Sequence, residues 1–315
     1  MMMRQTIFVI GECMIELQRE EIPQAGPQAA RLAYRFGGDT LNTAVYLARE
    51  ADPARFAVAY VSALGCDSLS DEMCRAWQEE GVVTEWVQRL PDKLPGMYLI
   101  ETDAKGERRF HYWRGDSAAR YWLQGPRVQE VRNALVNAPH VYLSGISLAI
   151  LSAPHREMLF EILFDCRRRG GKIVFDNNYR PRLWSDAASA IEAYRRMLEL
   201  ADIALLTVDD EVALYGATSG GDVLAAIVAR ARACGVKEIV LKRGADSCIV
   251  QTDEEYVEVA PEPVHKVVDT TAAGDSFAAA YLAARLAGKS VAQAAAAGHA
   301  LAGRVIQQRG AIIAR

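Results

Sequence analysis

The sequence predicts an α/β protein: a mostly parallel central sheet with helices on both faces, and a small β-sheet lid standing off that body. Three observations carry this. Short β-branched runs recur at 6–10 (TIFVI), 56–61 (FAVAYV), 140–145 (HVYLSG), 172–176 (KIVFD), 202–206 (DIALL) and 238–244 (EIVLKRG). Longer stretches with helical spacing separate them, the alternation expected of parallel strands joined by crossover helices. Two stretches, 12–37 and 95–114, break the alternation, and the second (PGMYLIETDAKGERRFHYWR) alternates like a hairpin around a turn at 104–106.

Helical spacing places helices at about 40–50, 69–80, 154–169, 185–200, 221–234, 275–287 and 290–307. In LSDEMCRAWQEEG the expected cap is Ser70, acids follow in the first turn, and Gly81 ends the helix. No repeat or low-complexity linker divides the chain, so 1–315 reads as a single domain whose lid is formed by approximately 12–37 and 92–117. Ligands of open α/β sheets bind beyond the carboxyl ends of the strands, where a lid can cover them.

Composition narrows the class of partner. The 315 residues are 51% hydrophobic and 24% charged, and 36 basic against 40 acidic side chains give a net charge of -4. The Lys and Arg are dispersed, which argues against nucleic acid or an anionic membrane and for a small molecule. Six cysteines, with no C-x-x-C and no nearby histidine pair, suggest neither a zinc site nor a disulfide framework, and are expected to be reduced core residues. The N-terminal apolar run TIFVI is too short for a secretion signal, and no run approaches the roughly 20 apolar residues of a membrane span, so a cytoplasmic location is expected. GKS at 288–290 lacks the earlier glycine of a P-loop, with Ala283 in its place, and reads as a helix stop. No G-x-G-x-x-G follows the first strand either.

DTTAAGDSFAAAYLAARLAG (269–288) sets an acid, Asp275, at the mouth of an alanine-rich helix. Such a helix directs the free amides of Ala272, Ala273, Gly274 and Asp275 into one pocket, where donors and dipole favour an anion. A phosphoryl group in transfer is one such anion, and Asp275 is placed to take the acceptor hydroxyl's proton. The same residues equally fit an ordinary acid in a first helical turn after a flexible glycine. FGGDTLNTAVYLAR (36–49) offers paired glycines, then Asp39 and Asn42 as hydroxyl partners at a helix start, or simply a tight turn with an N-cap.

These two segments, at opposite ends of the chain, together resemble the two signatures of the ribokinase (PfkB-type) family of carbohydrate kinases, and the resemblance spans nearly the whole length. Within that family, GECMIEL (11–17), GGDTLN (37–42), HYWRGDSAAR (111–120), FDNNYRPRLW (175–184), KRGADSC (242–248) and DTTAAGDSF (269–277) are similar to the branch that acts on 2-keto-3-deoxygluconate. The resemblance implies a ribokinase-like three-layer sandwich and ATP-dependent phosphorylation of the C6 hydroxyl of that sugar acid, in hexuronate breakdown. Related acceptors such as fructose, ribose or 5-keto-2-deoxygluconate are the neighbouring alternatives, and a sugar-binding regulator without turnover is the alternative of a different class.

Residue by residue, the resemblance implies Asp275 as base and the amides of Ala272, Ala273 and Gly274 as anion hole, although the family more often has glycine where Ala272 stands. Gly38 and Asn42 match positions that grip sugar hydroxyls, and Tyr98, Tyr112, Arg114 and Arg180 match positions around the keto acid. A carboxylate suits a planar guanidinium, which binds it through two charge-assisted bonds. Tyr112 and Arg114 alternate with Trp113 and on a strand would face one side. The plainer readings pair Arg114 with Asp116, give Arg180 a capping or salt-bridge role, and leave the tyrosines packing the lid.

ATP is implied at Asn178, Thr207, Lys242, Gly244, Ala245, Asp246, Ser247 and Cys248, with Ala273, Gly274 and His299, the last of which alone also fits a helix-packing histidine. Magnesium is implied with it, organised through water by an Asn-x-x-Glu motif in which Glu211 is the acid while Val208 occupies the asparagine position. Some members bind a monovalent cation such as K+ near the position of Asp269. The exposed face and edges of the lid predict a homodimer through the lids.

Overall fold

A computed structural model describes residues 4–20, 31–102, 108–216 and 222–315. The chain runs from β1 (Gln5–Ile10) into β2 (Met14–Glu20) and β3 (Arg31–Gly37), then α1 (Asp39–Glu50), β4 (Phe56–Leu64) and α2 (Ser68–Glu79). Two short strands, β5 (Val82–Val83) and β6 (Val87–Arg89), precede the pair β7 (Gly96–Thr102) and β8 (Arg108–Trp113). After α3 (Val128–Val136) come β9 (His140–Ser144), α4 (Gly145–Ala149), α5 (Ala153–Arg168), β10 (Lys172–Asp176) and α6 (Ala187–Leu200). Then follow β11 (Ile203–Thr207), α7 (Val208–Tyr215), α8 (Val223–Ala233), β12 (Glu238–Lys242), β13 (Cys248–Gln251), β14 (Tyr256–Val259), α9 (Ala273–Leu286) and α10 (Val291–Val305).

The large sheet has the order β14-β13-β12-β11-β10-β9-β1-β4-β5, with β6 also pairing β4. From β12 to β5 all pairs are parallel, and only β13 and β14 add antiparallel strands at one edge. The period-2 alternation of each strand feeds two cores. Phe8, Ile10, Val141, Leu143, Ile173 and Phe175 pack with Leu135, Leu159 and Met197 of α3, α5 and α6. Their neighbours Ile7, Val9, Tyr142 and Val174 face the opposite side, where they pack with Leu41 of α1, Met73 of α2, Phe277 of α9 and Leu301 of α10. Each such side chain contributes about 1.5–3 kcal/mol on burial, so a sheet covered on both faces needs the near-continuous apolar runs that the sequence contains.

Residues 12–37 and 95–114 supply a separate four-stranded sheet, ordered β3-β2-β7-β8. β2 is antiparallel to β3 and parallel to β7, and β7 pairs antiparallel with β8 in a register that sets Tyr98 opposite Tyr112. The turn expected at 104–106 lies outside the described residues. The chain passes between the two sheets near Glu12, Gly38, Gly96 and Arg114, and the two glycines are closely approached, Gly38 by backbone and Gly96 by the Glu12 side chain. A Cβ on Gly38 would stand 2.3 Å from the Glu12 carbonyl oxygen, and one on Gly96 would stand 2.8 Å from Glu12 Oε1.

Some local expectations change. The cap of α2 is Asp67, whose carboxylate accepts from the Ser70 amide at 3.0 Å, because the helix begins a residue before the expected start. Ser70 sits inside the first turn, donating its hydroxyl to Asp67 at 2.6 Å. Gly81, at φ +84°, follows the helix end as expected. The apolar run HVYLSG ends at Ser144, which caps the single-turn helix α4. GKS is a helix stop: Gly288 has φ +78° and Ser290 caps α10. All six cysteines are free, but only Cys13, Cys166 and Cys248 are buried in the core; Cys74 and Cys234 are half-buried and Cys66 is exposed. No described helix is long and apolar enough to cross a membrane.

Candidate active site

A cavity of about 1560 Å³ opens where the carboxyl ends of β10, β11 and β12 meet the second sheet. That location follows from topology: the parallel strands end there, and the first turns of α1 and α9 point into it. Asp176, Thr207 and Lys242 line it from the strand ends, Gly38, Asp39 and Asn42 from α1, and residues 270–275 from α9. Tyr98, Tyr112 and Arg114 line it from the second sheet, and Asn178 and Arg180 from the loop after β10.

Asp275 lies half-buried at the cavity floor. Asn42 Nδ2 donates to its Oδ2 at 2.8 Å. Burial, helped by the Asp39 carboxylate and more weakly by Asp176, pushes its carboxyl up to about 7 against the Asn42 hydrogen bond and the Lys242 ammonium. The result is a carboxylate far better matched to accepting a proton near neutrality than an ordinary aspartate. Among the described residues Asn42 Oδ1 and Asp176 Oδ1 are buried without hydrogen-bond partners, two acceptors at the edge of this floor.

Ala272 caps α9 in the left-handed conformation, φ 61°, ψ 15°. That region favours glycine, which accounts physically for an alanine being the less usual residue there. The amides of Ala272, Gly274 and Asp275 have no acceptor among the described residues, whereas the Ala273 amide donates to Thr270 O at 3.2 Å. The expected set of free donors is therefore smaller by one, since the turn that bends the chain into α9 uses it. Lys242 adds a cation: its Nζ lies 3.6 Å from where a Cβ on Gly274 would stand, and donates to Asp176 Oδ2 at 2.6 Å. A helix mouth with free amides beside an ammonium is suited to an anion.

The two arginines are held by partners. Arg114 pairs with Glu12, whose other oxygen accepts from the Ser117 hydroxyl. Asp116 instead takes Lys93 at 2.8 Å. The Arg114 guanidinium lies 6.0 Å from the centre of the Tyr112 ring, so both reach the same side. Tyr98 stacks obliquely on Tyr112 at 5.6 Å and donates its phenol to Glu16, with burial and that carboxylate holding its pKa up. Arg180 is exposed and donates to the Tyr179 carbonyl at 2.7 Å, with Asp210 3.4 Å away.

Among the residues expected to hold ATP, Asn178 donates to Asp39 Oδ2 at 2.6 Å and adopts φ 25°. Gly244, Ala245, Asp246, Ser247 and Cys248 form the turn into β13 and do not line the cavity. His299 packs edge-on against Phe277, with Val259 O 3.0 Å and the Cys248 amide 3.3 Å from Nε2, so its ring makes one of these bonds according to tautomer. Burial holds its pKa down. Glu211 is buried, accepts from Asn177 at 3.0 Å and pairs with Arg230 at 2.9 Å. Asp269 accepts from Thr271 Oγ1 at 2.6 Å and from the Gly310 amide at 3.1 Å. Among the described residues no three His, Cys, Asp or Glu side chains converge to hold a metal.

Three contributors were not singled out from sequence: Glu12, Asp176 and Asp210. Asp176 ends a parallel strand, a position that is itself a signal. Glu12 carried none, because its partner is 102 residues away.

The model of the pfkB family of carbohydrate kinases matches residues 4–315. The chain is 52% identical to the 2-dehydro-3-deoxygluconokinase of Escherichia coli (strain K12), over 99% of this chain and 98% of that one. It is 51% identical to the 2-dehydro-3-deoxygluconokinase of Dickeya dadantii (strain 3937), again over 99% and 98%. Among solved structures, a fructokinase with bound ATP from Xylella fastidiosa has the same fold, with TM-score 0.81 at 24% identity, covering 98% of this chain and 94% of that one.

Proposed function

The chain belongs to the pfkB family of carbohydrate kinases, and on that premise we propose that it transfers the γ-phosphoryl group of ATP to the C6 hydroxyl of 2-dehydro-3-deoxygluconate, a step of hexuronate breakdown. The observation that carries this is the meeting, in one cavity, of the raised-pKa Asp275, the Lys242 ammonium beside the mouth of α9, and two arginines, Arg114 from the second sheet and Arg180 from the loop after β10.

In this reading the sugar acid lies under the second sheet, which acts as its lid. Its carboxylate faces Arg114 and Arg180, Tyr98 and Tyr112 cover its body, and Asn42 Oδ1, which lacks a partner, accepts from a hydroxyl near Gly38. The C6 hydroxyl meets Asp275, which takes its proton late, as the bond to phosphorus forms. The amides of Gly274 and Asp275 with Lys242 bear the charge on the transferring group. ATP extends past Asn178 and Thr207 towards 244–248 and His299, with Mg2+ bound to its phosphates as part of the substrate. A monovalent cation beside Asp269 and a homodimer through the lid complete the proposal. Leu32, Tyr34 and Trp113, 51%, 45% and 56% exposed, supply an apolar face for that dimer.

An ADP-release assay across sugars tests the substrate. Turnover of 2-dehydro-3-deoxygluconate should exceed that of fructose, ribose and 5-keto-2-deoxygluconate, and faster turnover of fructose would sink the assignment.

A further inference from the structure

Glu12 has no part in the transfer described above, yet its side chain is fully buried at the root of the second sheet. Its carboxylate is shared between Arg114 and Ser117. Arg114 is itself nine-tenths buried, and its Nε has no hydrogen-bond partner among the described residues. Gly96 packs against this carboxylate: a Cβ there would stand 2.8 Å from Glu12 Oε1 and 3.2 Å from Arg114 Cβ, so a side chain at 96 would push on the pair. Glu12 lies between β1 of the body and β2 of the second sheet, and Arg114 directly follows β8.

We infer that Glu12 is a positioning residue for the substrate site: it holds the Arg114 guanidinium at a fixed angle, so that the donors not used by Glu12 meet the sugar acid's carboxylate. Long side chains lose rotamer freedom when they bind. Arg114 has already lost it to Glu12 before the substrate arrives. The pairing also cancels the arginine's net charge, so an arriving carboxylate gains from donor geometry more than from simple attraction, which favours a planar carboxylate over other anions. The inference rests on the proposed contact between Arg114 and the sugar acid.

Glu12→Asp separates geometry from charge, since it keeps the carboxylate but withdraws it by one methylene. The KM for 2-dehydro-3-deoxygluconate should rise roughly tenfold, with kcat within about threefold and the KM for ATP unchanged. In an Arg114→Lys background, where the planar fork is absent, Glu12→Asp should add less than about twofold, because the two residues act as one. An unchanged KM in Glu12→Asp, or an undiminished tenfold rise in the Arg114→Lys background, overturns the inference. If Glu12→Asp does not fold, Ser117→Ala, which removes the other bond to Glu12, is read the same way: a smaller rise in sugar KM that vanishes with Arg114→Lys supports it, and one that persists overturns it. The unsubstituted enzyme is the control, since failure to turn over the sugar acid there counts against the substrate assignment and not against the role of Glu12.

Discussion

A carboxyl group whose pKa stands at about 7 in the folded chain, against an ordinary 3.8, binds more protons folded than unfolded between those values. Folding stability conferred at that site therefore falls as pH rises from about 4 to about 7. Asp275→Asn removes the penalty, and the unliganded variant should melt higher than its parent by roughly 2–5 °C at pH 8, a shift trimmed by the cavity's access to solvent. The difference should disappear near pH 4, as thermal unfolding at both pH values would show. Catalysis runs the other way, because a base must be deprotonated. In the parent enzyme log(kcat/KM) for the sugar should fall with slope one as pH drops below about 7, and a profile flat to pH 5 would separate the carboxylate from the proton transfer.

Helix α2 shows how a local signal is misplaced by a turn. Asp67 and Ser70 are both good caps, and the choice between them depends on how the chain leaves β4. Asp67→Ala should lower stability by about 1 kcal/mol in denaturant unfolding with kcat unchanged, whereas Ser70 donates its hydroxyl to that carboxylate and accepts from the Gly65 amide at 3.0 Å. The long helices and the inner strands were legible because burial on both faces of a sheet forces uninterrupted apolar runs. The edge strands β13 and β14, at four residues each, and the short helices α4 and α7 were not, for they hold too few residues to show a period. At the site, Asp275 and its helix mouth could be read because they lie in one segment. The pull of Asp39 and Asp176 on Asp275, and the hold of Glu12 on Arg114, arise only when distant segments meet.

Taken whole, the molecule sets a second sheet over the carboxyl edge of a parallel one, with a crossing narrow enough to demand glycine at 38. The face bearing Leu32, Tyr34 and Trp113 is the surface proposed for the dimer. Trp113→Glu should shift the sedimentation mass from two chains to one, and an unchanged mass would place the interface elsewhere. The cavity beneath that sheet unites the acid, the cation and the arginines of the proposed transfer. The steady-state rate of Asp275→Asn with ATP and 2-dehydro-3-deoxygluconate tests that union most directly. The predicted result is a loss of about 10²–10⁴ in kcat with the sugar KM changed by no more than a few fold; a kcat equal to the parent's would contradict it.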